Sequence, residues 1–214
     1  MSEKSERLPR GRPRSIDRAA VLARATETFW RLGYEGASLS ELTAAMGVSR
    51  PTLYTAYGDK ADLFMAALEQ YGGTYGTAPL RAFLAEAEIG TAVSAFLRIA
   101  AEGNTTPGMP TGCLIACCAS TAAESQPAVR DRLAEIAEQT AAALAERFST
   151  EVTAGRLSAE PGPFVRAQRL IDMMYAQAVR ARSGETRASL MADLASRVTA
   201  VVGRPADVAA VKTV

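Results

Sequence analysis

Histidine is missing from all 214 residues, which removes the side chain most often used for general acid–base work near neutral pH. No glycine-rich phosphate loop follows a strand pattern, and no nucleophile elbow is present, so neither a nucleotide-dependent enzyme nor a hydrolase is indicated. Cysteine is scarce and clustered at positions 113, 117 and 118, which is not the disulfide framework of a small secreted domain. Runs of eighteen apolar residues are absent, so no membrane span is expected. The leading MSEKSERLPRGRPR has no apolar segment to act as a signal peptide, and the expected location is the cytoplasm. No cofactor and no metal centre are expected.

What the sequence does hold is 48% hydrophobic residues, ample for a core, in a pattern of helices. The segment around which the chain is organised runs from Ser38 to Lys60, SLSELTAAMGVSRPTLYTAYGDK. Ser38 and Glu41 make a capping box for a helix that turns Leu39, Leu42 and Ala45 inward. Gly47 follows Met46 where the chain needs a positive φ. Ser49 then caps a second short helix, and Pro51 is tolerated because first-turn amides have no intrahelical partner to lose. Val48 and Leu53 pin this helix to the first, which leaves Ser49, Arg50, Thr52, Tyr54, Thr55 and Tyr57 for a ligand. A helix of this kind reads DNA when it lies in the major groove, with guanidinium on guanine and methyl on thymine. Lys60, at the start of the next helix, suits a phosphate.

The run Gly47-Val48-Ser49, Thr52-Leu53-Tyr54, Tyr57 and Lys60, with Phe29 and Gly33-Tyr34 upstream, resembles the DNA-binding domain of TetR-type regulators. The family more often has Phe where Tyr57 stands. The resemblance covers about the first third of the chain. It implies an all-α protein with an N-terminal helix-turn-helix domain and a C-terminal helical domain for effector binding and dimerisation. The boundaries read from the sequence are a basic arm over 1–15, the DNA-binding domain over 16–76, the effector and dimer domain over 77–203, and a tail over 204–214.

Charge is uneven. Residues 1–60 hold ten Lys/Arg against seven Asp/Glu, and the formal net charge of +1 leaves −2 for the remainder. Within the arm, Pro9-Arg10-Gly11-Arg12-Pro13-Arg14 resembles an AT-hook core, whose Arg12 and Arg14 would enter a narrow minor groove. The alternative is a solvated tail that strengthens non-specific attraction.

A first helix is expected over Asp17–Leu32, with Gly33 as its stop, Phe29 inward and Trp30 partly exposed. A fourth, capped by Asp59, should run from Lys60 to Tyr71 and break at Gly72-Gly73. Further helices are expected over Leu80–Glu88, Thr91–Glu102, Gly112–Glu124, Ala128–Thr150, Phe164–Arg182 and Arg187–Val202. The penultimate one carries an apolar arc, including Phe164, Ile171, Met174, Tyr175 and Ala178, too wide for a single packing seam. With Leu190, Leu194 and Val198 of the last helix it offers a two-fold dimer bundle, and TetR-type proteins are similar in dimerising through their last two long helices; the alternative is that both stripes are ordinary intrachain core. Phe83, Phe96, Met109, Ile115, Phe148 and Met173 either fill the core or line a pocket for a small, largely apolar effector, together with Cys113 and Cys117.

Cys113 and Cys117 are four apart and would share a helix face, where they could hold a soft metal or react with an oxidant or electrophile. Leu114, Ile115 and Ala116 bring no cation to lower a thiol pKa, which favours packing. The expected function is a homodimeric, ligand-responsive repressor of a palindromic DNA operator. A thiol or metal sensor is the alternative within that class. An enzyme and a ligand-independent architectural DNA-binding protein are the alternatives outside it.

Overall fold

The structure, a computed structural model, describes residues 17–203. The arm residues Arg12 and Arg14 and the tail after Gly203 lie outside the described residues. Among the described residues every regular element is helical, as the absence of period-two alternation predicts.

Helix α1 (Arg18–Gly36) is capped by Asp17, whose carboxylate accepts from the amides of Ala19 and Ala20, and its helical path breaks at Gly33 (φ 74°). Val21, Ala25 and Phe29 recur every fourth residue along its buried face, the spacing that puts side chains on one side of a helix. Helices α2 (Leu39–Met46), α3 (Arg50–Tyr57) and α4 (Lys60–Tyr71) complete the head. Phe29, Tyr34 and Phe64 stack at its centre, with Phe29 and Phe64 edge to face at 4.8 Å. Such pairs add about 1 kcal/mol beyond area burial.

The body holds α5 (Ala78–Ala85), α6 (Ile89–Asn104), the short α7 (Ser120–Ala122), the long α8 (Pro127–Thr153), α9 (Pro163–Arg182), α10 (Arg187–Met191) and α11 (Leu194–Val202). Helix α6 packs on α5, α9 and α11, and α8 lies along α9. Phe83, Phe96 and Phe148 are fully buried between them. Arg166 is also fully buried. Its guanidinium donates to the carbonyls of Val201, Ser158 and Glu160, which clips the loop after α8 to the end of α11.

Four expectations need correction. Gly72-Gly73 does not break the chain; Gly72–Gly76 continues α4 as a π-helical turn, the wider spiral that an inserted residue produces. The segment expected as a helix over Gly112–Glu124 is a second π-helical turn, Ile115–Ala119, followed by the single turn of α7. The last expected helix is split at Ala192 and Asp193 into α10 and α11. Trp30 is 1% exposed, because the segment before the second π turn closes over it and accepts its indole N–H at the Gly112 carbonyl, 3.1 Å away. The head core accordingly includes Leu114, Cys118, Ala122 and Val129 from beyond residue 76.

Candidate nucleic-acid interface and cavity

The turn between α2 and α3 follows from local chemistry. Ser38 accepts from the Glu41 amide while the Glu41 carboxylate accepts from the Ser38 amide at 2.8 Å, and these bonds hold the Glu41 carboxyl below the usual carboxylate range. Gly47 adopts the left-handed conformation (φ 68°, ψ 33°), where a Cβ would cost about 1 kcal/mol or more. Ser49 caps α3, accepting from the Thr52 amide at 3.3 Å, and its hydroxyl lies 2.8 Å from that of Thr52.

Only Leu53 of α3 is buried. Ser49, Arg50, Thr52, Tyr54 and Thr55 are exposed, with Tyr54 at 49%, so the helix presents one continuous polar and aromatic face. Arg50 donates to the Ser40 hydroxyl at 2.7 Å, which holds its guanidinium over the start of α2. Tyr57 is different. It is half-buried against the head core, and its hydroxyl donates to the Arg18 carbonyl at 3.2 Å, so it braces α3 against α1 and does not join the exposed face as expected. The Lys60 ammonium lies 4.5 Å from the centre of the Tyr34 ring, at the capped start of α4.

A cavity of about 730 Å³ opens where head meets body. Trp30, Tyr71, Tyr75, Phe96, Asn104, Cys113, Arg132 and Tyr175 are among its lining. Of the residues expected to line a pocket, it contains Phe96, Cys113 and Ile115. Phe83 and Phe148 are instead sealed in the body core, Met173 packs against that same core, and Met109 and Cys117 pack on the head core.

Trp30 joins the cavity to the head. It is among the residues that line the cavity, and its carbonyl accepts from Arg182 of α9 at 2.8 Å and from the Cys118 thiol at 3.3 Å. Arg182 also donates to the carbonyls of Arg31 and Thr111. The end of α1 is thus fastened directly to α9. Arg182 is a cation 3.4 Å from the Cys118 sulfur, brought there from far along the sequence. Burial nevertheless outweighs it and pushes the Cys118 thiol up to about 11. Burial raises Cys113 as well, although its hydrogen bond with Tyr71 opposes the shift.

Residues 21–67 match the family model described as bacterial regulatory proteins, tetR family. Among curated proteins, the chain is 35% identical over 107 residues to the HTH-type transcriptional repressor ComR of Escherichia coli K12, a match covering 50% of this chain and 51% of that protein. The HTH-type transcriptional repressor BdcR of the same strain is 32% identical over 116 residues, covering 54% of this chain and 58% of BdcR. The chain therefore spans little more than half the length of these curated relatives. Among solved structures, a cysteine-substituted form of the TetR family regulator CifR, complexed with 26-bp double-strand operator DNA, superposes with a TM-score of 0.81. It is 32% identical, and the match covers 89% of this chain and 100% of that one. This chain belongs to the TetR family.

Placed in the TetR frame, α2 and α3 are the helix-turn-helix, and the outer surface of α9 takes on new importance. Ile171, Ala178 and Leu190 are buried within the chain. Met174 and Tyr175 line the cavity, and Leu194 and Val198 pack against the body core. The apolar arc expected to meet a second copy is therefore mostly turned inward, because α6 and α8 already supply its two partners. Phe164 alone among those residues is exposed, at 60%, and Val165 and Val179 share its outward side at 46% and 52%. The sequence reading missed Trp30, Tyr71 and Tyr75 as cavity walls, although Tyr71 and Tyr75 stand one helical turn apart. It also missed Arg182, for which no local signal exists.

Proposed function

We propose that this TetR-family chain is a homodimeric repressor that binds a near-palindromic DNA operator and releases it when a small molecule fills the cavity. The observation carrying the proposal is the joint role of α1: the head packs on it, and its Trp30 walls the cavity. The exposed residues of α3 would read bases, and Lys60 would hold a phosphate. ComR and BdcR, both repressors, and CifR on its operator support this reading.

Phe164, Val165 and Val179 give α9 an outward apolar strip that a second copy would cover. Two recognition helices related by that two-fold would meet successive major grooves when separated by about 34 Å. A ligand that prefers a different head spacing lowers DNA affinity by linkage, typically by about 1 to 3 kcal/mol. A thiol or soft-metal sensor at Cys113 and Cys117 is the less supported reading, since burial raises the Cys113 thiol and thiolate is the reactive and ligating form. The test is a mobility-shift titration of the chain's own promoter fragment at physiological salt. A saturable shift that survives excess random duplex supports the proposal, and a shift abolished by random duplex refutes it.

A further inference from the structure

The cavity of about 730 Å³ is large enough for a drug-sized molecule. Its head-side wall is aromatic: the Trp30 ring lies edge-on to Tyr71 with centroids 5.0 Å apart and tilts toward Tyr75 at 5.5 Å. Phe96 and Tyr175 line it from the body. Such faces and edges select another ring through offset and edge-to-face contacts.

The charged groups at the cavity already have partners within the chain. Glu69 pairs with Arg132 at 2.5 Å and Glu102 with Arg98 at 3.0 Å. Arg187 donates to the Thr105 hydroxyl at 3.0 Å and to the Glu102 and Thr105 carbonyls. A cationic ligand would lose hydration and find no uncommitted carboxylate, and an anionic one would find only Arg187, which is exposed to solvent and already donates to three oxygens. Hydrogen-bonding groups, by contrast, do remain. The Tyr71 hydroxyl, on a residue 4% exposed, donates only to the Cys113 sulfur at 3.3 Å, a weak acceptor. Among the described residues, no hydrogen bond is made by the Tyr175 hydroxyl or by the side chain of Asn104, which lines the cavity at 5% exposure.

We infer that the cavity takes an uncharged, flat aromatic molecule bearing a carbonyl or hydroxyl oxygen, its ring against Tyr75, the exposed member of the cluster that Trp30 and Tyr71 back, and its oxygen on the Tyr71 hydroxyl. The inference rests on reading the cavity as the effector site. An oxygen acceptor replaces sulfur on Tyr71, so the bond gained is stronger than the one given up.

The test is calorimetric titration of the full chain with four molecules of one shape: naphthol, naphthoate, naphthylmethylammonium and decahydronaphthol. Naphthol should bind at least about tenfold more tightly than each of the others and quench the emission of Trp30, the single tryptophan of the chain. Tyr71→Phe should weaken naphthol severalfold while leaving naphthalene unchanged. Equal binding by a charged or saturated member, no binding by any member, or indifference of naphthol to Tyr71→Phe would each overturn the inference. Operator release is read separately. Naphthol bound without release refutes the release mechanism and not the ligand class, whereas release by some other molecule with no naphthol binding does the reverse.

Discussion

Arg50 and Tyr54 stand exposed on α3, while Tyr57 one turn on is braced against α1, and the difference separates specificity from stability. Arg50→Ala and Tyr54→Ala should each cost about 1 to 3 kcal/mol on operator DNA and much less on random duplex, read by fluorescence anisotropy. Lys60→Ala should weaken both alike, as a phosphate contact does. Tyr57→Phe should leave the ratio of the two affinities unchanged and lower the denaturation midpoint by the equivalent of about 1 kcal/mol at most. The thiols give a second residue-level expectation. Cys117→Ser, which lies outside the cavity lining, should leave ligand release intact and cost about 1 kcal/mol in stability; loss of release in a folded, DNA-binding variant would make the Cys113 and Cys117 pair the sensor. Because burial raises Cys118 from 9.0 to about 11, the folded state holds that proton more tightly than the unfolded chain. Its contribution to stability is complete below the lower value and lost as pH rises toward the upper one. Alkylation of Cys118 in the folded chain, followed by mass spectrometry, should therefore stay slow at neutral pH.

At the level of elements, the capped turn is the part most legible from the sequence. The capping box, Gly47, Ser49 and Pro51 each act within four residues, and the structure places α2 and α3 with the bounds those signals indicate. The head helices were readable for the same reason, through short spacings and strong caps. The body was legible as helices but not as an arrangement. An apolar arc on α9 states that two partners exist; only the packing of α6 and α8 shows that both are intrachain. The π turns leave no such signal, since Gly72-Gly73 also reads as a break. Trp30 is buried by a carbonyl eighty-two residues away, beyond the reach of any periodicity. Two glycines test these elements. Gly47→Ala should cost about 1 to 2 kcal/mol and loosen the helix-turn-helix first, visible as faster amide exchange in α2 and α3. Gly112→Ala should be more damaging, because φ is 78° there and a Cβ would stand 2.8 Å from the Ala178 carbonyl oxygen. Its melting temperature should fall furthest, with α1 and α9 losing protection together.

For the whole molecule, the balance of charge decides how DNA is held. Residues 17–60 carry five Lys/Arg against five Asp/Glu, so the excess of +3 in the first sixty residues lies entirely on residues 1–16. Deleting residues 1–15 should leave a folded protein that binds operator and random DNA more weakly, with a salt dependence shallower by roughly 0.9 for each phosphate that the arm had neutralised. Unchanged affinity and slope would show the arm to be idle. The most direct test of a two-fold DNA-binding regulator is selection of bound sequences from a random duplex pool by the full-length protein. Recovery of a near-palindrome with half-site centres about one helical turn, or 34 Å, apart is the expected result. A pool that remains random after repeated rounds, or yields only an unpaired half-site, would contradict it.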